Sequence, residues 1–294
     1  MNNEIWILLI GALVAISCSL IGSFLVLRNV AMIGDAISHS VLPGIVIGFL
    51  FSGSLHSPLL LIGAGIAGVL TTYLIQLFYK SVGVQSDAAI GVVFTFLFAI
   101  GVILISVYTQ DSDLDLDCVL YGEILNTPFD RWITDSGIDM GPLVFWEQLV
   151  VFAAVILFCT LFFKQLKITS FDEDYAESIG MKTSVWHYVL MAFVSFVTVA
   201  SFEAVGAILV ISFLITPAAT AFLISTKLIP MLGVSILLGI LAVFGGYYLS
   251  AGIGDTSSSA AMAVVSGIIF TFVALFVAYG KKSHTSVIDE VTGK

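Results

Sequence analysis

Nine predominantly apolar stretches, most of them about 20 residues long, dominate this chain of 294 residues. They occupy residues 5–27, 30–51, 57–79, 88–108, 145–163, 186–202, 204–226, 229–250 and 258–280. About 20 apolar residues is the length that an α-helix needs to cross the hydrocarbon core of a bilayer. The shortest stretch, 186–202, could merge with its neighbour, so the pattern predicts eight or nine membrane-spanning helices.

Charged residues are too scarce to cover a water-facing surface. They make up 10% of the chain, against about 25% in soluble domains, and hydrophobic residues make up 59%. The chain is therefore predicted to be an all-α polytopic membrane protein. No Ser-rich or Pro-rich linker interrupts it, and no basic region precedes the first apolar stretch. We expect one integral-membrane domain over residues 1–294, with the first stretch retained as a span rather than removed as a signal peptide.

The distribution of basic residues predicts how the spans are oriented. Alternating spans from an outside N-terminus place most of the 10 basic residues on one side, which the positive-inside rule identifies as the cytoplasm. These residues are Arg28, Lys80, Lys164, Lys167, Lys182, Lys227, Lys281 and Lys282. The C-terminus is then cytoplasmic, residues 109–146 form an acidic outer loop, and residues 164–185 form an inner loop. Without a basic patch, no nucleic-acid partner is expected.

The most informative part of the chain, residues 28–50, includes most of the second predicted span and carries Asp35 and His39 among mainly apolar residues. Residues four apart lie on one face of a helix, one turn from each other. A charged carboxylate at the centre of a bilayer costs roughly 2.5–3.5 kcal/mol on insertion scales. We therefore expect both side chains to face the interior of a helix bundle, where a cation or a proton stabilises them.

Two further acids are candidate ligands for the same ion. Glu203 lies where two apolar stretches join, although it could equally sit in a turn at the outer surface. Glu123 follows a segment with four alternating aspartates, which either attract cations to an outer mouth or form a solvated loop. Carboxylates combined with one imidazole suit Mn²⁺ or Fe²⁺ and also accept Zn²⁺. The nearby Cys118 is left out, because a lone cysteine in apolar surroundings is more often a packing residue.

Two prolines lie inside predicted spans. Proline removes a backbone hydrogen bond and clashes with the preceding turn, so Pro43 and Pro217 should kink or break their helices. Broken helices at membrane depth line cavities or binding sites, because their free carbonyl groups need partners. A simple kink is the alternative at either proline.

The inner loop contains a short predicted helix. Acidic residues from Asp172 to Asp174 favour a helix N-terminus, and Gly180 is suited to the stop. An acidic helix on the cytoplasmic surface is poorly suited to anionic lipid. A protein partner is therefore the better interpretation.

Three separated stretches carry a resemblance to a known family: LVLRNVAMIGDAISHSVLPGIVIGF, FDEDYAESIG and VGAILVISFLITPAATA. In this order they resemble the metal-ion permease subunits of bacterial ATP-binding-cassette importers, the manganese/zinc/iron family, over about residues 10–280. The resemblance implies an all-helical fold similar to that of vitamin B12-type (type II) importers. It also implies two permease subunits, identical or related, two ATPase subunits, an extracellular solute-binding protein and a place in the bacterial cytoplasmic membrane.

The resemblance further implies roles for individual residues. The family's intramembrane Asp-x-x-x-His corresponds to Asp35 and His39. The segment that couples the permease to its ATPase corresponds to Phe171, Asp172, Asp174, Ala176 and Gly180, and Asp174 and Tyr175 depart from the usual Glu-Ala-Ala pattern. The segment DLDLDCVLYGEI is closest to the manganese and iron members, which favours Mn²⁺ as the transported ion. No permanently bound cofactor is expected.

Two other function classes compete with this interpretation. A proton-coupled secondary transporter could use Asp35 and His39 as a proton relay, but it would not need a coupling loop. An intramembrane metalloenzyme would need a ligand set such as H-E-x-x-H, which the sequence lacks. The sequence also lacks a G-x-x-x-x-G-K-[ST] phosphate loop, so this subunit is not expected to be an enzyme.

Overall fold

The computed structural model describes residues 3–53, 58–108, 124–129, 131–133, 139–254 and 256–292. The four alternating aspartates, Cys118 and Glu123 lie outside these ranges.

Helices account for most of the described chain. They are α1 (Asn3–Leu27), α2 (Ala31–Ser40), α3 (Leu42–Ser52), α4 (Pro58–Leu77), α5 (Ser86–Tyr108), α6 (Leu143–Leu161), α7 (Phe163–Phe171), α8 (Glu173–Ser178), α9 (Thr183–Val205), α10 (Ala207–Ile224), α11 (Leu228–Ile253) and α12 (Ser258–Thr292). A π-helical turn, Phe78–Val82, extends α4, and a short 3-10 turn covers Ile124–Asn126.

Nine helical segments within the described ranges are long and apolar enough to cross a membrane, with α2 and α3 forming one of them. The marginal stretch 186–202 becomes an independent helix, α9. Gly206 separates α9 from α10. Its φ is 78°, a backbone conformation that glycine adopts without steric cost. The prediction of an all-helical membrane protein is confirmed, with nine spans rather than eight.

The first helix lies at the centre of the bundle, where it packs against α6, α9, α10 and α11. Its approach to α10 is so close that a Cβ on Gly22 would overlap the carbonyl group of Leu214. Phe24 and Phe213 are fully buried in the same core. Helices in lipid have no hydrophobic drive to associate and depend on close packing, which small residues permit.

The second span is divided at Val41, between α2 and α3. Pro43 lies in the first turn of α3, where a helix needs no backbone N–H donor. Gly44 then crosses Gly63 of α4 so closely that a Cβ on either residue would collide with the backbone of the other. Glycine therefore fixes how α3 lies against α4.

The structure adds detail to the sequence-based predictions in four places. The helix α10 continues through Pro217, so no break occurs there and a kink remains the prediction. The two helices α7 and α8 occupy most of the loop 164–185, where one short helix was predicted. The loop predicted over 109–146 ends at Pro142 and contains two short antiparallel strands, β1 (Arg131–Ile133) and β2 (Asp139–Pro142). The last span, Ser258–Tyr279, agrees with the predicted 258–280, and its helix α12 continues to Thr292.

Candidate metal site and coupling helix

The metal pair, Asp35 and His39, lies on one face of α2 as the spacing predicts. The Oδ1 atom of Asp35 is 3.9 Å from Nε2 of His39, and the two side chains are 39% and 28% exposed. This separation is too long for a hydrogen bond. The carboxylate and the imidazole are therefore adjacent without being hydrogen-bonded to each other.

The distance between the pair is compatible with one shared ion. Zinc bonds to histidine nitrogen and carboxylate oxygen measure about 2.0–2.2 Å, so two donors on one ion can be at most about 4.4 Å apart. The observed 3.9 Å lies within that limit. A site with so few protein ligands suits a transported ion, which must leave as well as bind.

Aromatic rings and a hydroxyl pair surround the metal pair. The imidazole of His39 lies 5.4 Å from the ring of Phe94 and 6.1 Å from that of Phe98, both on α5. Next to His39, the hydroxyl of Ser40 is hydrogen-bonded to that of Thr71 on α4 over 2.7 Å. These contacts hold the end of α2 against α4 and α5.

Glu123 and the side chain of Glu203 lie outside the described part of the structure, so their place among the metal ligands stays a prediction. Ile37 on α2 is level with Ser195 on α9, because a Cβ added to Gly68 would contact both. Glu203 is in the last turn of α9, about 12 Å beyond Ser195 along the helix axis. Among the described side chains, no group of three or more His, Cys, Asp or Glu could hold a metal.

The predicted cytoplasmic helix is present as α8. The carboxylate of Asp172 caps it by accepting a hydrogen bond from the backbone N–H of Tyr175 at 2.9 Å. The chain leaves the helix at Gly180, whose φ is 83°. Ala176 is buried, so α8 is anchored on its inner side.

Three apolar side chains on and around α8 face away from the protein. Phe171, Tyr175 and Ile179 recur every four residues and are 58%, 54% and 49% exposed. Phe171 ends α7, extended backbone at Asp172 separates it from Tyr175 in α8, and Ile179 directly follows α8. We call these residues the exposed ridge.

Sequence reasoning missed a contact made by Arg28, which it used only to orient the spans. Arg28 follows α1 and donates hydrogen bonds to the hydroxyls of Thr169, at 2.5 Å, and Ser170, at 3.0 Å, in the last turn of α7. Burial lowers the pKa of Arg28 to about 10, and nearby Glu173 acts in the opposite direction. The guanidinium is therefore still charged at neutral pH.

Comparison with known proteins gives the family. Residues 2–278 match the family described as the ABC 3 transport family. The chain belongs to the ABC 3 transport family. It is 47% identical over 276 residues to the manganese transport system membrane protein MntD of Bacillus subtilis, covering 94% of this chain and 92% of that protein. It is 41% identical to the zinc transport system membrane protein TroD of Treponema pallidum, covering 92% of this chain and 73% of that protein.

A solved structure supports the fold of this ABC 3 family member. The structure of PsaBC from Streptococcus pneumoniae in complex with Fab matches with a TM-score of 0.76 and 32% identity, over 93% of this chain and 91% of that one. The permease fold expected from the sequence is therefore confirmed.

Proposed function

We propose that this chain is the membrane-spanning permease subunit of an ATP-driven importer of divalent transition-metal ions, with Mn²⁺ as the preferred ion. The observation that carries the proposal is the metal pair on α2, in a chain 47% identical to a manganese transport protein. Zn²⁺ is the second candidate, because a relative 41% identical is a zinc transport protein. Fe²⁺ is chemically compatible with the same ligands.

The half exposure of the metal pair supports a second permease subunit. Met32, Asp35 and His39 lie on one face of α2, and Met32 is 58% exposed. A carboxylate facing hydrocarbon is costly, so lipid is a poor neighbour for this face. A second permease, identical or related, would cover it and enclose a path for the ion between the two subunits.

The exposed ridge on α8 supports a cytoplasmic ATPase as the next partner. Phe171, Tyr175 and Ile179 present apolar surface beside acidic residues that would disfavour an anionic membrane surface. A groove on each of two ATPase subunits would receive one such helix. This arrangement assigns ATP hydrolysis to the partner and leaves the permease without a catalytic role.

In this mechanism the bundle alternates between outward and inward access. A solute-binding protein outside the cell delivers the ion to the metal pair, and ATP binding and hydrolysis then reorient the helices. The N-terminus lies outside and the C-terminus in the cytoplasm, as the positions of the basic residues indicate.

Uptake by the complete complex in sealed vesicles tests this function. The permease, its ATPase and its binding protein are reconstituted, and Mn²⁺ entry is followed with and without ATP. We expect uptake to require ATP, to survive a protonophore, and to be inhibited by Zn²⁺ more weakly than by unlabelled Mn²⁺. Uptake that persists without ATP but collapses with the protonophore would replace this proposal with proton-coupled transport.

A further inference from the structure

The turn between α1 and α2 is short and rigid. Asn29 adopts a left-handed conformation with a φ of 56°. The N–H of Val30 donates to the carbonyl of Leu25, and the N–H of Asn29 donates to that of Val26, both over 3.0 Å. These are the two hydrogen bonds of a Schellman motif, with Arg28 as the last residue of the helix end.

The second helix starts directly from this turn. The carbonyl of Val30 accepts a hydrogen bond from the N–H of Ile33, and α2 begins at Ala31. Asp35 is about 6 Å along α2 from the first residue of that helix, Ala31, at 1.5 Å per residue. Because the hydrogen bonds of the turn tie Arg28 to the start of α2, we expect a displacement of Arg28 to be passed on to α2.

The side chain of Arg28 reaches the coupling segment from the other direction. Its Nη2 donates to Oγ1 of Thr169 and its Nε donates to Oγ of Ser170. The buried Thr169 gives its own hydroxyl proton to the carbonyl of Gln165 at 2.8 Å, so its oxygen is oriented to accept from the guanidinium. Asp172, the cap of α8, follows Ser170 by only two positions.

We call Arg28 with Thr169 and Ser170 the inner-end link. Its two hydrogen bonds join the residue that follows α1 to the last turn of α7, more than 140 positions away in the chain. Its acceptors are neutral hydroxyls, while Glu173 acts on Arg28 only through its charge. Breaking the link would leave the charged, partly buried guanidinium without these acceptors, so Arg28 and the last turn of α7 should move together.

We propose that Arg28 is the positioning residue through which movement of α8 is transmitted to α2 and its metal pair. This inference rests on the proposed function, because it assumes that an ATPase moves α8. Arg28 itself touches neither the ion nor ATP in this scheme. It sets the position of α2 according to the position of the last turn of α7.

The test measures Mn²⁺ uptake and ATP hydrolysis by the same reconstituted complex, with binding protein present. Arg28→Ala should lower the number of ions imported per ATP hydrolysed by about 10-fold, with the ATPase still bound in a pull-down. Thr169→Val, nearly the same size as threonine, should lower the ratio in the same direction, and Thr169→Ser should restore it. Lys227→Ala provides the matched control, since Lys227 is an exposed cation just before α11.

The number of ions imported per ATP hydrolysed distinguishes a role of Arg28 in transmitting movement from a purely structural role. If Arg28→Ala and Thr169→Val reduce uptake and hydrolysis in parallel, with the ratio unchanged, the inference is wrong. If Arg28→Ala does not fold, the comparison of Thr169→Val with Thr169→Ser decides by the same criterion. Failure of the proposed function is separable, because the unmodified complex would then show no ATP-dependent uptake at all.

Discussion

The metal pair and the inner-end link are two groups of polar residues that differ in how their side chains are held. The Oδ1 atom of Asp35 and the Nε2 atom of His39 are 3.9 Å apart, and both side chains are partly exposed and not hydrogen-bonded to each other. Arg28 is held by two hydrogen bonds of 2.5 and 3.0 Å to hydroxyls from a distant part of the chain. The absence of a hydrogen bond within the metal pair suits an ion that must bind and then be released. The two hydrogen bonds of Arg28 suit the transfer of movement between helices.

The largest effect should follow from replacing Asp35, which supplies the carboxylate of the metal pair. Asp35→Asn keeps the shape but removes the negative charge that binds a divalent cation, so Mn²⁺ uptake should fall by about 100-fold, the upper end of effects seen around metal sites. The ATPase should remain bound, because the inner-end link is untouched. Uptake in reconstituted vesicles and a pull-down of the ATPase measure the two effects.

Asp87→Asn is the control for this substitution. Asp87 is an exposed acid in the first turn of α5, away from the metal pair in sequence. Its replacement should leave uptake unchanged. Normal uptake by Asp35→Asn would show that the ion does not pass this residue.

The second prediction concerns His39, the imidazole of the metal pair. His39→Gln replaces an imidazole nitrogen with an amide group, so Mn²⁺ uptake should fall by about 10-fold. Zn²⁺ favours imidazole, whereas Mn²⁺ favours oxygen ligands, so inhibition of Mn²⁺ uptake by Zn²⁺ should weaken. A competition series with both ions measures this, and unchanged inhibition by Zn²⁺ would place His39 outside the coordination sphere.

A smaller effect is expected from weakening the inner-end link by one hydrogen bond. Ser170→Ala removes the acceptor for Nε of Arg28 and leaves the contact with Thr169. A hydrogen bond to a charged group contributes about 1.5–3 kcal/mol, but water can replace part of it at this half-buried position. We expect the number of ions imported per ATP to fall about 3-fold.

Ser170→Thr retains the hydroxyl and serves as the control for that change. It should behave as the unmodified protein in the same ratio. A fall as large in Ser170→Thr as in Ser170→Ala would attribute the effect to packing instead of the hydrogen bond.

The last prediction concerns ATPase binding instead of transport and tests the cap of α8. Asp172→Ala removes the side chain that accepts from the N–H of Tyr175, and loss of such a cap costs about 1 kcal/mol of helix stability. Binding of the ATPase should weaken by about 5-fold, since 1.4 kcal/mol corresponds to a tenfold change. Asp172→Asn, which also caps helices well, should bind normally. Equal weakening by both variants would point to the charge of Asp172 and not to its cap.

Local patterns in the sequence were sufficient for the spans, for the shared face of Asp35 and His39, and for α8 with its cap and its glycine stop. Each depends on residues a few positions apart, where helical periodicity, length and capping chemistry act directly. At Pro217 the same reasoning predicts a kink or a break, and the helix α10 is continuous through this residue, so no break occurs there.

The apolar spans and the one-turn spacing of the metal pair were thus determined by the sequence alone, because they follow from the apolar length and period of single helices. The structure decided that the stretch 186–202 is a span of its own. Only the tertiary structure decided that Arg28 meets Thr169 and Ser170, which are more than 140 positions away in the chain. Such placements depend on how separate helices pack. Small residues such as Gly22, Gly44 and Gly63 set the closest approach of those helices, and no local pattern records which helices they bring together.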